Sequence, residues 1–143
     1  MIFVDSNIWY YYFDQRQPEH EQVLEPMRKI IKSEEIICNT IIVMEVAHYL
    51  VRHFKEDVAR RKIDFFTNLI NLKITDFNRE TMAKTIETLI EHAYAEGLGG
   101  RDATVIATMN SQNINKIFSH DRIFKRLANK LELEVIDTIL TPK

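Results

Sequence analysis

Four carboxylates in this chain occupy positions where a solvated surface charge is not expected. Asp5 closes the apolar run Ile2-Phe3-Val4, and Asp121 closes Ile117-Phe118-Ser119-His120. Glu45 is embedded in Ile41-Ile42-Val43-Met44 and Val46-Ala47, and Asp102 follows Gly97-Leu98-Gly99-Gly100. Two carboxylates ~4 Å apart repel by about 4 kcal/mol at an effective dielectric of about 20. A fold that gathers four of them therefore needs a cation among them. Mg²⁺ and Mn²⁺ prefer carboxylate and water oxygens and suit this donor set. Zinc suits it less, because Cys38 is the single cysteine and His48 and His53 are five residues apart rather than four. The chemistry indicated is metal-assisted attack on a phosphodiester.

Each acid also has an ordinary explanation. Asp5 can make a turn with Ser6 and Asn7. Asp102 and Asp121 can serve the free N–H groups at helix starts. Glu45 is harder to account for. Its helical neighbours at three and four residues are Ile41, Ile42, His48 and Tyr49, none of them Lys or Arg. All three glycines lie in the five residues before Asp102, which suggests a shaped pocket edge or a tight connection. The case rests on the set.

Helices and short apolar strands alternate along the whole chain. Strands are expected at 2–5, 36–38, 72–77, 114–119 and 133–136. Helices are expected at 19–32, from Asn39 or Thr40 to about 55, and at 57–71, 79–96, 102–111 and 122–131. The inward stripes are Val43, Ala47, Leu50 and Phe54; Ile63, Phe66 and Ile70; and Met82, Ile86, Leu89, Ile90 and Ala93. Gly97 is placed to stop the helix before it. The alternation predicts an α/β fold with a parallel sheet between helical layers. Ligands bind such sheets beyond the carboxyl ends of the strands, where strand order reverses, and Asp5 and Asp121 lie at two such ends.

With 143 residues the chain reads as one domain, residues 1–143, burying roughly two-thirds of its unfolded surface. Its net charge of −2 supplies no overall basic field, so an RNA-binding role needs local basic patches. No apolar run has the length of a membrane span, the first strand begins at residue 2, and the single Cys38 fits a reducing compartment, so a cytoplasmic protein is expected.

These residues together resemble the PIN-domain family, and within it the VapC-type toxin ribonucleases. The resemblance is carried by Ile2-Phe3-Val4-Asp5-Ser6-Asn7, Met44-Glu45-Val46, Gly99-Gly100-Arg101-Asp102-Ala103-Thr104-Val105-Ile106-Ala107 and Phe118-Ser119-His120-Asp121-Arg122-Ile123-Phe124. Each piece is short; their order and spacing over nearly the full length make the combination specific. Ser119 stands where the family usually has Thr, keeping the hydroxyl. The resemblance implies an α/β/α sandwich with four or five parallel strands, and one or two Mg²⁺ or Mn²⁺ ions held by Asp5, Glu45, Asp102 and Asp121. Ser119 and Asn7 would support them. It further implies an RNA substrate, a homodimer and, for toxins, a small inhibitory antitoxin protein.

Phosphate contacts are assigned to Arg101 and Arg122, which adjoin the acids. The groups Arg52-His53-Lys55, Arg60-Arg61-Lys62 and Lys125-Arg126-Lys130 read as solvated helix faces. The run Trp9-Tyr10-Tyr11-Tyr12-Phe13 could stack bases, but core packing plus a subunit contact is the simpler reading, since five consecutive aromatics on a helix cannot share one core. A haloacid-dehalogenase-like phosphatase would want a second acid where Asn7 stands. A receiver domain would want an acidic pair. A PIN-like RNA-binding or processing module remains the alternative to a toxin nuclease. Replacing Asp5 by Asn is expected to relieve repulsion in the metal-free protein and to abolish stabilisation by Mn²⁺ and RNA cleavage.

Overall fold

The structure is a computed structural model describing residues 1–140; of the expected domain 1–143, residues 141–143 lie outside the described residues. Five strands form one parallel sheet: β1 (Ile2–Val4), β2 (Ile36–Asn39), β3 (Leu72–Thr75), β4 (Lys116–Phe118) and β5 (Glu134–Ile136), in the order β3-β2-β1-β4-β5. The helices are α1 (Ser6–Phe13), α2 (His20–Ser33), α3 (Thr40–His53), α4 (Glu56–Thr67), α5 (Arg79–Glu96), α6 (Gly100–Ser111) and α7 (Arg122–Leu131). They flank the sheet in the expected α/β/α arrangement.

Continuous apolar strands are the mark of a parallel sheet covered on both faces. All of β1 and β2 is buried, including Asn39 and Cys38. Burial pushes the Cys38 thiol up to about 12. β1 lies between β2 and β4, with Phe3 opposite Ile37 and Ile117 and Val4 opposite Phe118. The chain winds from β1 outward to β3, then crosses back to β4 on the other side. The reversal therefore falls between β1 and β4, and the crevice beyond their carboxyl ends is the expected ligand position.

Caps set where the helices begin. Asp5 accepts from Ser6 N at 2.8 Å and starts α1; Asn39 accepts from Ile42 N at 2.9 Å and starts α3. Asn39 also donates to Thr108 Oγ1 at 3.0 Å, tying α3 to α6. Gly97, at φ 77°, ends α5 in the left-handed conformation that glycine adopts without strain.

Three inward stripes differ from expectation. In α3 the fully buried residues are Ile42, Val46 and Leu50, while the expected Val43 and Phe54 pack against the core partly buried. α4 ends at Thr67, so Ile70 falls in the following turn and is fully exposed rather than inward. In α5, Thr85 and His92 are buried, while Met82, Ile86, Ile90 and Tyr94 are exposed at 46, 48, 61 and 92%. The apolar period of α5 is real, but the helix packs on α6 by another face. α6 begins at Gly100, two residues before its expected start, which brings Arg101 into its first turn.

The aromatic run is covered within the chain. Trp9 and Phe13 are buried and meet Phe66, with Trp9–Phe66 ring centroids 4.6 Å apart. Tyr10, Tyr11 and Tyr12 pack against the core from the half-buried side, and Tyr10 stacks on Tyr49 at 4.4 Å. The subunit contact expected of this run is not needed to cover it.

Candidate active site

The crevice between β1 and β4 holds a carboxylate cluster around one guanidinium. Asp5, at the end of β1, is fully buried. Its Oδ1 accepts from Ser6 N and from Arg101 Nη2, and its Oδ2 accepts from Ser119 Oγ at 2.7 Å. Glu45, one face of α3 away from the helix's buried stripe, accepts from Arg101 Nε at 3.1 and 3.2 Å. Asp102, in the first turn of α6, accepts from Arg101 Nη1 at 2.9 Å. Arg101 Nη2 also donates to Ser6 Oγ at 2.6 Å. One planar fork thus joins three acids from three distant parts of the chain, a task that a lysine ammonium could not perform.

Asp121 stands behind this group. Its side chain caps α7 by accepting from Ile123 N at 3.1 Å. Its backbone N–H donates to Ser119 Oγ at 3.0 Å, and the same hydroxyl donates to Asp5. Ser119 therefore links the ends of β1 and β4 and orients one oxygen of Asp5. Among the described residues, the Asn7 side chain makes one contact, a long one, accepting from His120 N at 3.5 Å. Arg122 is exposed and, among the described residues, pairs with no acid of the cluster.

The electrostatics follow from one guanidinium facing three carboxylates, which leaves the cluster net negative. Burial raises the Glu45 carboxyl above its ordinary value; Arg101 opposes this, and Asp5 and Asp102 add to it. Burial likewise raises Asp102, opposed by its bond from Arg101 and reinforced by Asp121. Arg101 is held protonated: burial would lower its pKa, but Asp5 and Glu45 raise it well beyond the ordinary arginine range.

A pH profile tests this balance. For Glu45 and Asp102 the folded pKa lies above the unfolded one, so their contribution is favourable below the ordinary values of 4.5 and 3.8 and is lost as pH rises through the raised folded values. Asp14 has the opposite sign. Burial would raise it, but bonds from Arg16 and Tyr49 hold it well below the usual carboxylate range, so its stabilisation is full above 3.8 and is lost as pH falls through its folded value. Metal-free protein is expected to gain stability on mild acidification from neutrality and lose it again in strong acid. Urea midpoints measured across pH would show a maximum on the acid side; a monotonic fall from neutrality would contradict the assignment.

As the side chains stand, no three His, Cys, Asp or Glu donors among the described residues are spaced to share one ion. The reason is visible: Arg101 fills the centre. The donor set still fits a hard cation, since Asp5, Glu45, Asp102 and Ser119 offer only oxygen. A divalent ion would take the guanidinium's place among the same carboxylates.

The sequence-expected residues are therefore partly assembled. Asp5, Glu45, Asp102 and Ser119 meet around Arg101, with Asp121 adjoining through Ser119. Arg101 is engaged with carboxylates rather than free for phosphate, and it is the partner of Glu45 that local spacing could not supply. Ser6, expected only in a turn with Asp5, and Tyr10, expected only in the aromatic run, also border the site. Burial raises the Tyr10 phenol, Ser6 lowers it, Glu45 raises it and Arg101 lowers it, so its hydroxyl lies in the field of the site. Their i, i+4 relation, starting one residue after Asp5, is the signal that could have found them.

A parallel sheet with acids at its switch point defines the class of fold, an α/β/α protein with a carboxylate crevice. A family model described as PIN domain matches residues 2–130. The chain belongs to the PIN-domain family. Its fold is similar to that of VapC20 from Mycobacterium tuberculosis, described as a sarcin–ricin loop cleaving toxin, at TM-score 0.72 and 17% identity over 88% of this chain and 94% of that one. It is similar also to VapBC2 from Rickettsia felis bound to a promoter DNA fragment, at TM-score 0.71 and 21% identity over 96% and 98%. DNA-bound VapBC from Salmonella typhimurium aligns at TM-score 0.67 and 15% identity over 96% and 98%. No curated protein sequence matches the chain. No helix among the described residues is long and apolar enough to cross a membrane.

Proposed function

We propose that this chain is a metal-dependent endoribonuclease that hydrolyses RNA phosphodiester bonds, as the toxin of a toxin–antitoxin pair, working in the cytoplasm as one domain over residues 1–143. The observation that carries this reading is the gathering of Asp5, Glu45 and Asp102 around a single positive centre at the sheet's switch point. PIN-family membership and the likeness to a toxin described as cleaving the sarcin–ricin loop support it.

Asp5, Glu45, Asp102 and Asp121 would hold one or two Mg²⁺ or Mn²⁺ ions. A bound ion supplies an acidified water and neutralises charge on the phosphate oxygens. Ser119 keeps Asp5 oriented through its hydrogen bond to Oδ2. Arg101 would have to leave the centre for an ion to be held there, and its guanidinium would then be free to pair with a phosphate. Arg122 and Asn7 are supporting residues in the same reading.

The guanidinium lodged among the acids favours one second reading, a PIN-like module that binds RNA without cutting it. Incubation of purified protein with structured and unstructured RNA, in Mn²⁺ and in chelator, separates the two. The nuclease cuts only with Mn²⁺; the module leaves the RNA intact in both.

Two partners belong to this proposal. The VapBC structures are of toxin–antitoxin pairs, which supports an antitoxin here. A groove of about 600 Å³ between α1, α2 and α4, with Tyr12, Phe65, Arg28 and Arg61 in its walls, is a surface able to receive an apolar and acidic segment. A second copy of the chain is assigned to the exposed α5 stripe. Ile86→Lys with Ile90→Lys is expected to convert a dimer to a monomer in sedimentation, with little change in monomer melting. An unchanged mass would place the interface elsewhere.

A further inference from the structure

Four of the basic side chains set aside as solvated faces have partners within the chain. Arg60 pairs with Glu56, Lys125 with Asp137 and Lys130 with Glu96, and Lys62 lies over the Phe54 ring. Arg52, like Lys55, Arg61 and Arg126, is exposed and takes part in no ion pair among the described residues; what sets it apart is its place on α3 beside the carboxylate cluster. It lies in a cleft of about 250 Å³ between α1 and α3, walled by Tyr10, Glu45, His48, Tyr49, Arg52 and His53. Glu45 belongs at once to this cleft and to the carboxylate cluster. The α3 positions 45, 48, 49, 52 and 53 follow the helical repeat, so the cleft runs along one helix face for about 12 Å from Glu45.

Aromatic rings line that face. Tyr10 stacks on Tyr49 with centroids 4.4 Å apart and planes 10° from parallel, and Tyr49 stacks on His53 at 4.0 Å and 20°. The ladder is fixed from behind. Tyr49 Oη donates to the buried Asp14 at 2.7 Å and accepts from Gln17 at 3.0 Å. Burial and Asp14 push the Tyr49 hydroxyl up to about 12, so it stays a donor. Arg16 clamps Asp14 and donates to the His53 carbonyl at 2.8 Å. The last ring, His53, belongs to an exposed residue, and its Nδ1 lies 2.8 Å from the Tyr49 carbonyl oxygen. Packing alone would not require a stacked polar ring, locked by a buried charged network, to end in solvent beside an unpaired arginine.

We propose that this cleft is a single-stranded RNA subsite: a base adjacent to the scissile phosphate extends the Tyr10–Tyr49–His53 ladder on the His53 ring, and the neighbouring phosphate is held by Arg52 and His48. The inference rests on the ribonuclease reading and gives that site a direction, since the strand leaves the carboxylates along α3. Stacking on a ring is tolerant of base identity, and His is among the side chains that serve it. The arginine contact is read as salt dependence.

The test is fluorescence anisotropy of a labelled single-stranded RNA with full-length protein in chelator, where nothing is cut, alongside cleavage in Mn²⁺. Arg52→Glu is expected to weaken binding about tenfold and flatten its salt dependence. His53→Ala weakens it about fivefold or more, and His53→Phe, which keeps the stacking face, restores it to within about twofold. Melting temperatures confirm that these exposed substitutions leave the fold intact. Equal binding by all three variants overturns the subsite while Mn²⁺-dependent cleavage leaves the nuclease reading standing. Failure of His53→Phe to rescue overturns the stacking role. An oligo-glutamate peptide that competes as well as RNA of equal charge would show a protein-binding cleft instead and overturn the proposal. Wild-type protein that neither binds RNA nor cuts it in Mn²⁺ overturns both readings together.

Discussion

Asp5→Asn is expected to abolish Mn²⁺-dependent RNA cleavage and the Mn²⁺-induced rise in melting temperature. The loss should exceed the ~10–100-fold that removal of an outer-shell partner costs a metal site. The substitution also acts on metal-free protein, and in the direction opposite to that expected from repulsion alone. The Asp5 carboxylate accepts from Ser6 N, from Ser119 Oγ and from Arg101, all in a fully buried position. An amide cannot accept on both sides, so one of these donors loses its partner. Hydrogen bonds to charged groups contribute about 1.5–3 kcal/mol, and a loss of that order is expected in urea denaturation. Relief of repulsion does not win, because Asp5 itself pairs directly with Arg101, and that favourable contact is weakened along with the repulsion from Glu45 and Asp102. A variant that kept metal-dependent cleavage within tenfold of wild type would remove Asp5 from the site.

Arg101→Gln is expected to have two large effects of opposite sign. Without metal it leaves Glu45 and Asp102 half-buried and Asp5 buried with no counter-charge. Breaking a buried pair costs about 3–5 kcal/mol, and the low end applies because Arg101 and Glu45 side chains remain 32 and 29% exposed. With metal the sign reverses, because an entering ion no longer displaces a guanidinium bound to three acids. Each 1.4 kcal/mol of competition removed is a tenfold gain in affinity, so Mn²⁺ binding is expected to tighten by about tenfold or more in calorimetric titration. Arg101→Lys keeps a charge without the fork and should fall between. If Arg101 served only to contact phosphate, Mn²⁺ affinity would be unchanged in both variants, and that result would contradict the placement of Arg101 at the ion's position.

Much of this was legible in the sequence because it is periodic or punctuated. The all-apolar Ile2-Phe3-Val4, the Gly97 stop and the cap at Asn39, one of the two positions that spacing allowed, each act over a few residues. The acids at the ends of β1 and β4 were legible for the same reason, and the Val4–Phe118 pairing makes their elements neighbours. What spacing could not show is tertiary. The partner of Glu45 is 56 residues away, and Arg101 faces it only because α6 begins at Gly100. The stripe on α5 has a helical period, but a period does not say whether core or solvent covers it. Nor could local rules show that Trp9 and Phe13 turn inward while Tyr10 joins Tyr49.

Cys38 lies in the middle of the sheet, fully enclosed, with a thiol that hardly ionises at neutral pH. Thiolate is the form that alkylating reagents consume. Native protein therefore carries its own silent probe: modification of this lone thiol proceeds only through openings that separate β2 from its neighbours. Its rate clocks the sheet's excursions without any engineered label, and a cysteine introduced elsewhere on the surface would be the one site a dye could reach.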